Sequence, residues 1–168
     1  IYKEDLAYLR NAILPVHHLD MEYPVLAIYD PKVHKIESLS DLNGLIVAWY
    51  QEYRYDRFFP PHAIRYPSDD LNSAMRLLEA GRIAVVIDHI YNLHERDKKL
   101  FHTFQIAPEL PLWLAFQNTN KGRQLIKTFD DKIVQLRKSG QLEKLFGQEY
   151  YRANFDRVYK KEDSHNEH

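Results

Sequence analysis

Asp88 closes the apolar run Ile-Ala-Val-Val-Ile at 83–87. An aspartate directly after a buried parallel strand stands at the carboxyl edge of its sheet, where open α/β folds place their ligand crevices. There a carboxylate can accept a hydrogen bond from a ligand ammonium, a charged contact of about 1.5 to 3 kcal/mol when shielded from water. The same residue can instead cap a helix beginning at His89 or Ile90, since aspartate is among the best N-caps. A second candidate group follows another apolar run and comprises Trp49, Tyr50, Gln51, Glu52, Tyr53 and Tyr55. Aromatic rings at a strand end can stack on a ligand or clasp a cation. Glu52 beside them favours a positively charged or amine-bearing solute over a simple carboxylate. Taken singly, Trp49 also reads as core and the tyrosines as surface or packing residues, because pockets use few of the aromatics available.

Other chemistries find less support. The chain has no Gly-x-Ser-x-Gly elbow and no glycine-rich phosphate loop, and its five glycines are too few for a nucleotide cradle. The acid pairs Asp69-Asp70 and Asp130-Asp131 suit helix starts or exposed faces, because neighbours in sequence diverge in direction. No catalytic role is expected. Nine histidines invite a metal reading. His17, His18 and Asp20 could converge only through a loop, His89 and His94 are five positions apart rather than four, and no metal or other cofactor is expected. Cysteine is absent, which removes disulfides and thiolate ligands. Lysine and arginine total 23 against 24 acidic residues, a balance that makes no electrostatic case for nucleic acid or an anionic membrane surface. Apolar runs stay far below the ~20 residues that span a bilayer, so direct membrane insertion is not expected. The chain opens on Ile-Tyr-Lys-Glu-Asp without a leader pattern, so any signal peptide is expected to have been removed.

The elements that must position these residues alternate between strand and helix. At 168 residues the chain can bury roughly 70% of its unfolded surface, enough for one core or two small lobes. Residues 24–29 predict a strand stopped by Asp30-Pro31. Asp-Leu-Asn-Gly at 41–44 turns into the continuous apolar run 45–50, expected of a strand covered on both faces and hence of a parallel sheet. A shorter strand at 63–66 precedes a helix capped by Ser68 or Asp69, with Leu71, Ala74, Met75 and Leu78 on one stripe and Gly81 at its left-handed end. The strand at 83–87 completes a strand, helix, strand succession with a right-handed crossover. Residues 90–99 predict a charged surface helix, and 110–116 an edge or crossing strand. From Lys121, the spacing of Leu125, Phe129, Ile133 and Leu136 predicts a helix ended by Gly140, and Leu142, Leu145 and Phe146 begin another. The polar tail 160–168 is expected to be disordered.

Several of these pieces, in this order, resemble the type 3 family of bacterial extracellular solute-binding proteins, the amino-acid-type receptors of ABC importers. The residues that carry the resemblance are Ser-Leu-Ser-Asp-Leu-Asn-Gly at 38–44, Gly-Arg-Ile-Ala-Val-Val-Ile-Asp at 81–88, Pro-Leu-Trp-Leu-Ala-Phe at 111–116, Lys121-Gly122, Phe129-Asp130, and Ser-Gly-Gln-Leu-Glu-Lys-Leu-Phe at 139–146. The resemblance covers about residues 22–151. It implies an α/β, periplasmic-binding-protein-like fold of type II, with a parallel-rich sheet flanked by helices, one complete lobe and a truncated or reduced first lobe. On that scheme residues 1–23 are a remnant of the first lobe, 24–110 the second lobe, and 111–159 the return strand and closing helices. The family's ligand aspartate matches Asp88, giving it an ammonium-binding role. The family's Gly-Ser or Gly-Thr carboxylate loop is replaced here by Tyr50-Gln51-Glu52-Tyr53, and its carboxylate-clamping arginine has no counterpart. The resemblance implies a periplasmic or extracellular receptor for an amino acid or related amine, partnered by importer permease subunits. A ligand-sensing domain of a membrane signalling protein and a non-binding interaction module of the same fold are the alternatives.

Overall fold

The computed structural model describes Lys3, Leu6 and residues 9–152. The tail at 160–168 and most of the first eight residues therefore lie outside the described residues. The elements run β1 (Ala12–Ile13), β2 (Asp20–Met21), β3 (Val25–Tyr29), β4 (Ile46–Tyr50), β5 (Ile64–Ser68), α1 (Leu71–Glu79), β6 (Val85–Asp88), α2 (Glu95–Leu100), β7 (His102–Ala107), β8 (Pro111–Leu112), β9 (Phe116–Gln117), α3 (Asn120–Lys138), α4 (Gln141–Phe146) and α5 (Gln148–Tyr151). They divide into two compact units, one built from Ile1–Glu22 with Glu109–His168 and the other from Tyr23–Pro108. No described helix is long and apolar enough to cross a membrane.

The unit 23–108 is organised by a five-stranded sheet in the order β5-β4-β6-β3-β7. The strands β5, β4 and β6 are mutually parallel, β3 runs against β6, and β7 runs against β3, so only β3 opposes the common direction. Period-two alternation gives each face its own core. Ile28, Ala48 and Val86 point to one face and pack with Ala74, Met75 and Leu78 of α1. Ala27, Tyr29, Val47, Trp49, Val85 and Ile87 point to the other, where Leu42, Tyr55 and Phe59 cover them. This double coverage is why the central strands read as unbroken apolar runs.

Local sequence explains the boundaries. Asp70, rather than Ser68 or Asp69, caps α1, its carboxylate accepting from the Ser73 amide at 2.8 Å. Ser68 and Asp69 precede that position, and the Ser68 hydroxyl instead donates to the Asp70 carbonyl at 3.0 Å. Gly81 reverses the chain with φ +66°, a region where a side chain would be strained. The expected helix at 90–99 is a short 3-10 turn, Ile90–Asn92, followed by α2. It is less exposed than its charge suggests, since Leu93 and Asp97 are buried. The strand β7 was not anticipated from the sequence. Its alternation is masked by polar residues, and β3 recruits it as the sheet edge from His102 to Ala107.

In the other unit, the apolar stretch at 110–116 is split into two short strands rather than one. β8 pairs with β2 and β9 with β1, each antiparallel. Asp130 on α3 holds the N-terminal segment in place, accepting from the Val16 and His17 amides at 3.1 and 3.0 Å. Thr119 caps α3 through the Gly122 amide. Gly140, at φ +70°, turns the chain from α3 into α4.

Candidate functional site

Register places the candidate residues. β4 and β6 pair in parallel as far as Trp49 opposite Ile87, so Tyr50 and Asp88 leave adjacent strands at the same carboxyl edge. There Tyr50, Tyr53, Asp88, Asn92 and the start of α1 at Asp69, Asp70 and Leu71 line a hollow of about 260 Å³. Three of these residues are carboxylates, and none is a lysine, arginine or histidine.

Asp88 is buried, and its Oδ1 accepts from the His89 amide at 2.7 Å and the Asn92 side-chain amide at 2.6 Å. The carboxylate thus braces the turn that follows β6 while facing the hollow. The capping role read from the sequence is not realised at Asp88, because the 3-10 turn it braces has His89 as its N-cap.

The aromatic residues form a continuous run of rings along this edge. Tyr50 meets Tyr53 with centroids 5.1 Å apart, Tyr53 meets Tyr55 at 5.0 Å, and Tyr55 meets His89 at 5.6 Å. Tyr23 extends the run, 6.3 Å from His89 and 4.3 Å from Tyr91. These separations suit edge-to-face and tilted ring packing. Burial of the Tyr50 phenol, and secondarily its hydrogen bond to Glu52, raises its pKa above the usual tyrosine value.

Of the five residues singled out from the sequence, Tyr50, Tyr53 and Asp88 come together at the hollow, and Trp49 and Glu52 do not line it. Strand alternation turns Trp49 inward, where it packs edge-to-face on Phe59 and donates from Nε1 to the Tyr53 carbonyl at 3.0 Å. Trp49 therefore shapes the loop that presents Tyr53. Glu52 is exposed and touches the site through the Tyr50 hydroxyl. Asn92 was missed as a lining residue. The available signal was its position four residues beyond Asp88, within reach of that carboxylate across a tight turn.

Several backbone donors of this edge are engaged within the chain. The Gln51 amide donates to the Ser68 carbonyl at 3.0 Å and the Tyr53 amide to the Tyr50 carbonyl at 2.9 Å. The Asn72 and Ser73 amides of α1 are held by Asp70, and these hydrogen bonds, those to Ser73 foremost, lower the Asp70 pKa. No α-helix starts directly after β4, where the Tyr50-Gln51-Glu52-Tyr53 loop leads instead into a 3-10 turn at Tyr55–Phe58.

Elsewhere, a larger hollow of about 470 Å³ lies between α1 and α2, where Arg96 already joins Glu79 and Asp97. His18 is buried, and desolvation, assisted by His17 and opposed by Asp20, lowers its pKa to about 4. Among the described residues no group of three or more potential ligands could hold a metal ion.

No family model and no curated protein sequence matches the chain. Solved structures do. A mutant of the arginine-binding protein of T. maritima superposes with TM-score 0.65 at 14% identity, over 90% of this chain and 65% of that one. An ancestral arginine-binding protein bound to arginine gives TM-score 0.66 at 14% identity, over 90% and 68% of the two chains. The second substrate-binding domain of a protein assigned as an amino acid ABC transporter of Streptococcus pneumoniae gives 0.52 at 15%, over 89% and 68%. The likeness at these identities is one of fold. The chain has an α/β, periplasmic-binding-protein-like fold of type II, and it spans 65% of the length of the T. maritima protein.

Proposed function

We propose that this chain binds a small, amine-bearing polar solute at the carboxyl edge of the 23–108 sheet and performs no catalysis. Asp88 accepts from the ligand's ammonium, and Tyr50 and Tyr53 supply the aromatic wall. The observation that carries this reading is that Asp88, distant in sequence from the neighbouring Tyr50 and Tyr53, lines one hollow with them. Its position outside the carboxyl ends of parallel strands is where open α/β folds bind ligands. An ammonium over tyrosine faces beside a carboxylate gains both cation–π and charged hydrogen-bond contributions. In the cell, such binding would serve a periplasmic or extracellular receptor that delivers its solute to the permease subunits of an ABC importer. The arginine bound by one structural neighbour is itself an amine-bearing solute, which supports the choice of ligand class.

A thermal-shift screen of amines and amino acids tests the proposal. A ligand present at 100 times its dissociation constant adds about 2.7 kcal/mol to stability, well within detection. Asp88→Asn is expected to weaken binding, and Tyr53→Ala, at a residue that is 42% exposed, does so with less risk to folding. If neither substitution changes the affinity of a ligand found in the screen, the assignment of the site is wrong.

A further inference from the structure

Resting on the binding role proposed above, we infer that the hollow selects small organic cations that lack a carboxylate, preferring an amine to the α-amino acid from which it differs only by that group. The inference comes from the balance of donors and acceptors at this edge. The lining residues bring three carboxylates, Asp69, Asp70 and Asp88, and no basic side chain. A ligand ammonium finds acceptors and tyrosine rings. A ligand carboxylate would meet like charges within a few ångströms, an unfavourable arrangement wherever water is partly excluded.

A carboxylate is received by free backbone amides, a helix N-terminus or a basic residue, and more weakly by neutral side-chain donors, of which the Asn92 amide is drawn to Asp88 and the Tyr50 hydroxyl to Glu52. The amides of Gln51 and Tyr53 are spent on the Ser68 and Tyr50 carbonyls. The first turn of α1 faces the hollow, yet Asp70 already occupies it, accepting from the Ser73 amide at 2.8 Å and the Ser73 hydroxyl at 2.7 Å. The protein's own carboxylate thus stands where a ligand's would otherwise dock. The Ser68 hydroxyl is likewise turned to the Asp70 carbonyl. Asp69 accepts at its Oδ1 from the Gln51 side chain at 3.1 Å, and its carboxylate offers a second acceptor for a cation at the rim.

Calorimetric titration of the full chain with matched pairs tests this: putrescine against ornithine, cadaverine against lysine, and agmatine against arginine. In at least one pair the amine is expected to bind and its amino acid to bind at least tenfold more weakly, which corresponds to about 1.4 kcal/mol. Asp69→Asn, at an exposed position, is expected to weaken the amine severalfold with the fold intact by circular dichroism. An amino acid that binds as tightly as its decarboxylated partner overturns the carboxylate exclusion and leaves the solute-binding role standing. Amine binding that survives both Asp69→Asn and Asp88→Asn unchanged places the cation elsewhere and overturns the inference. Failure of every member of every pair to bind at millimolar concentration removes the inference and the proposed ligand class together.

Discussion

Tyr55 and His89 show how one buried polar contact anchors the carboxyl edge of the sheet. His89 Nδ1 lies 3.0 Å from the Pro24 carbonyl, which can only accept, so that nitrogen carries a proton, and in the neutral imidazole Nε2 accepts from the Tyr55 hydroxyl 2.6 Å away. Tyr55→Phe removes the donor and leaves the imidazole without it in a buried setting. A loss of about 1 to 3 kcal/mol is expected in urea unfolding, with the hollow's shape retained because the ring persists. His18 makes a separate prediction. Its pKa falls from 6.5 to about 4 on folding, so between those values the unfolded chain binds the extra proton. Stability contributed by the neutral imidazole is complete above pH 6.5 and is lost as pH falls toward 4, by an amount on the order of 2 kcal/mol. Denaturant titrations from pH 4 to 7 are expected to give a flatter profile for His18→Gln than for the unaltered chain.

Packing of α3 against β9 depends on one missing side chain. A Cβ at Gly122 would overlap the Gln117 carbonyl oxygen, a backbone atom that cannot yield as a flexible side chain would. Gly122→Ala is therefore expected to cost about 1 to 3 kcal/mol by overpacking, more than the roughly 1 kcal/mol expected for loss of the cap in Thr119→Ala. Chemical denaturation of the two variants, run side by side, checks the order. The elements themselves were largely legible. Unbroken apolar runs at 45–50 and 83–87 identified strands buried on both faces, and one helical stripe identified α1. The edge strand β7 was not legible, because His102, Thr103 and Gln105 dilute its pattern and only pairing with β3 makes it a strand. The cap of α1 was misplaced by one or two residues for a similar reason. Three consecutive residues, Ser68, Asp69 and Asp70, all have capping chemistry, and the end of β5 decides among them. At the site, the sequence placed Asp88 and Tyr50 each at the end of an apolar run, and the strand order that sets them side by side came only with the fold. The inward turn of Trp49 follows from alternation along β4, which a fully apolar run conceals.

The two units differ in how the chain builds them. Residues 23–108 form one continuous stretch with a core on each face of its sheet, whereas the other unit needs both ends of the chain. A polypeptide of residues 23–108 is expected to fold alone, to unfold cooperatively and to retain the acid-and-tyrosine hollow. Circular dichroism melting and amine titration of that fragment provide the check, and a non-cooperative melt would show that the sheet depends on the rest of the chain. The stretch also begins and ends at adjacent places, because Val25 near its start pairs with Ala107 near its end. Neighbouring termini let a folded segment replace a surface turn of an unrelated host without prying that host apart. The 23–108 stretch is thus shaped as a portable cassette, able to carry its acid-and-tyrosine hollow to another scaffold through two closely spaced splice points.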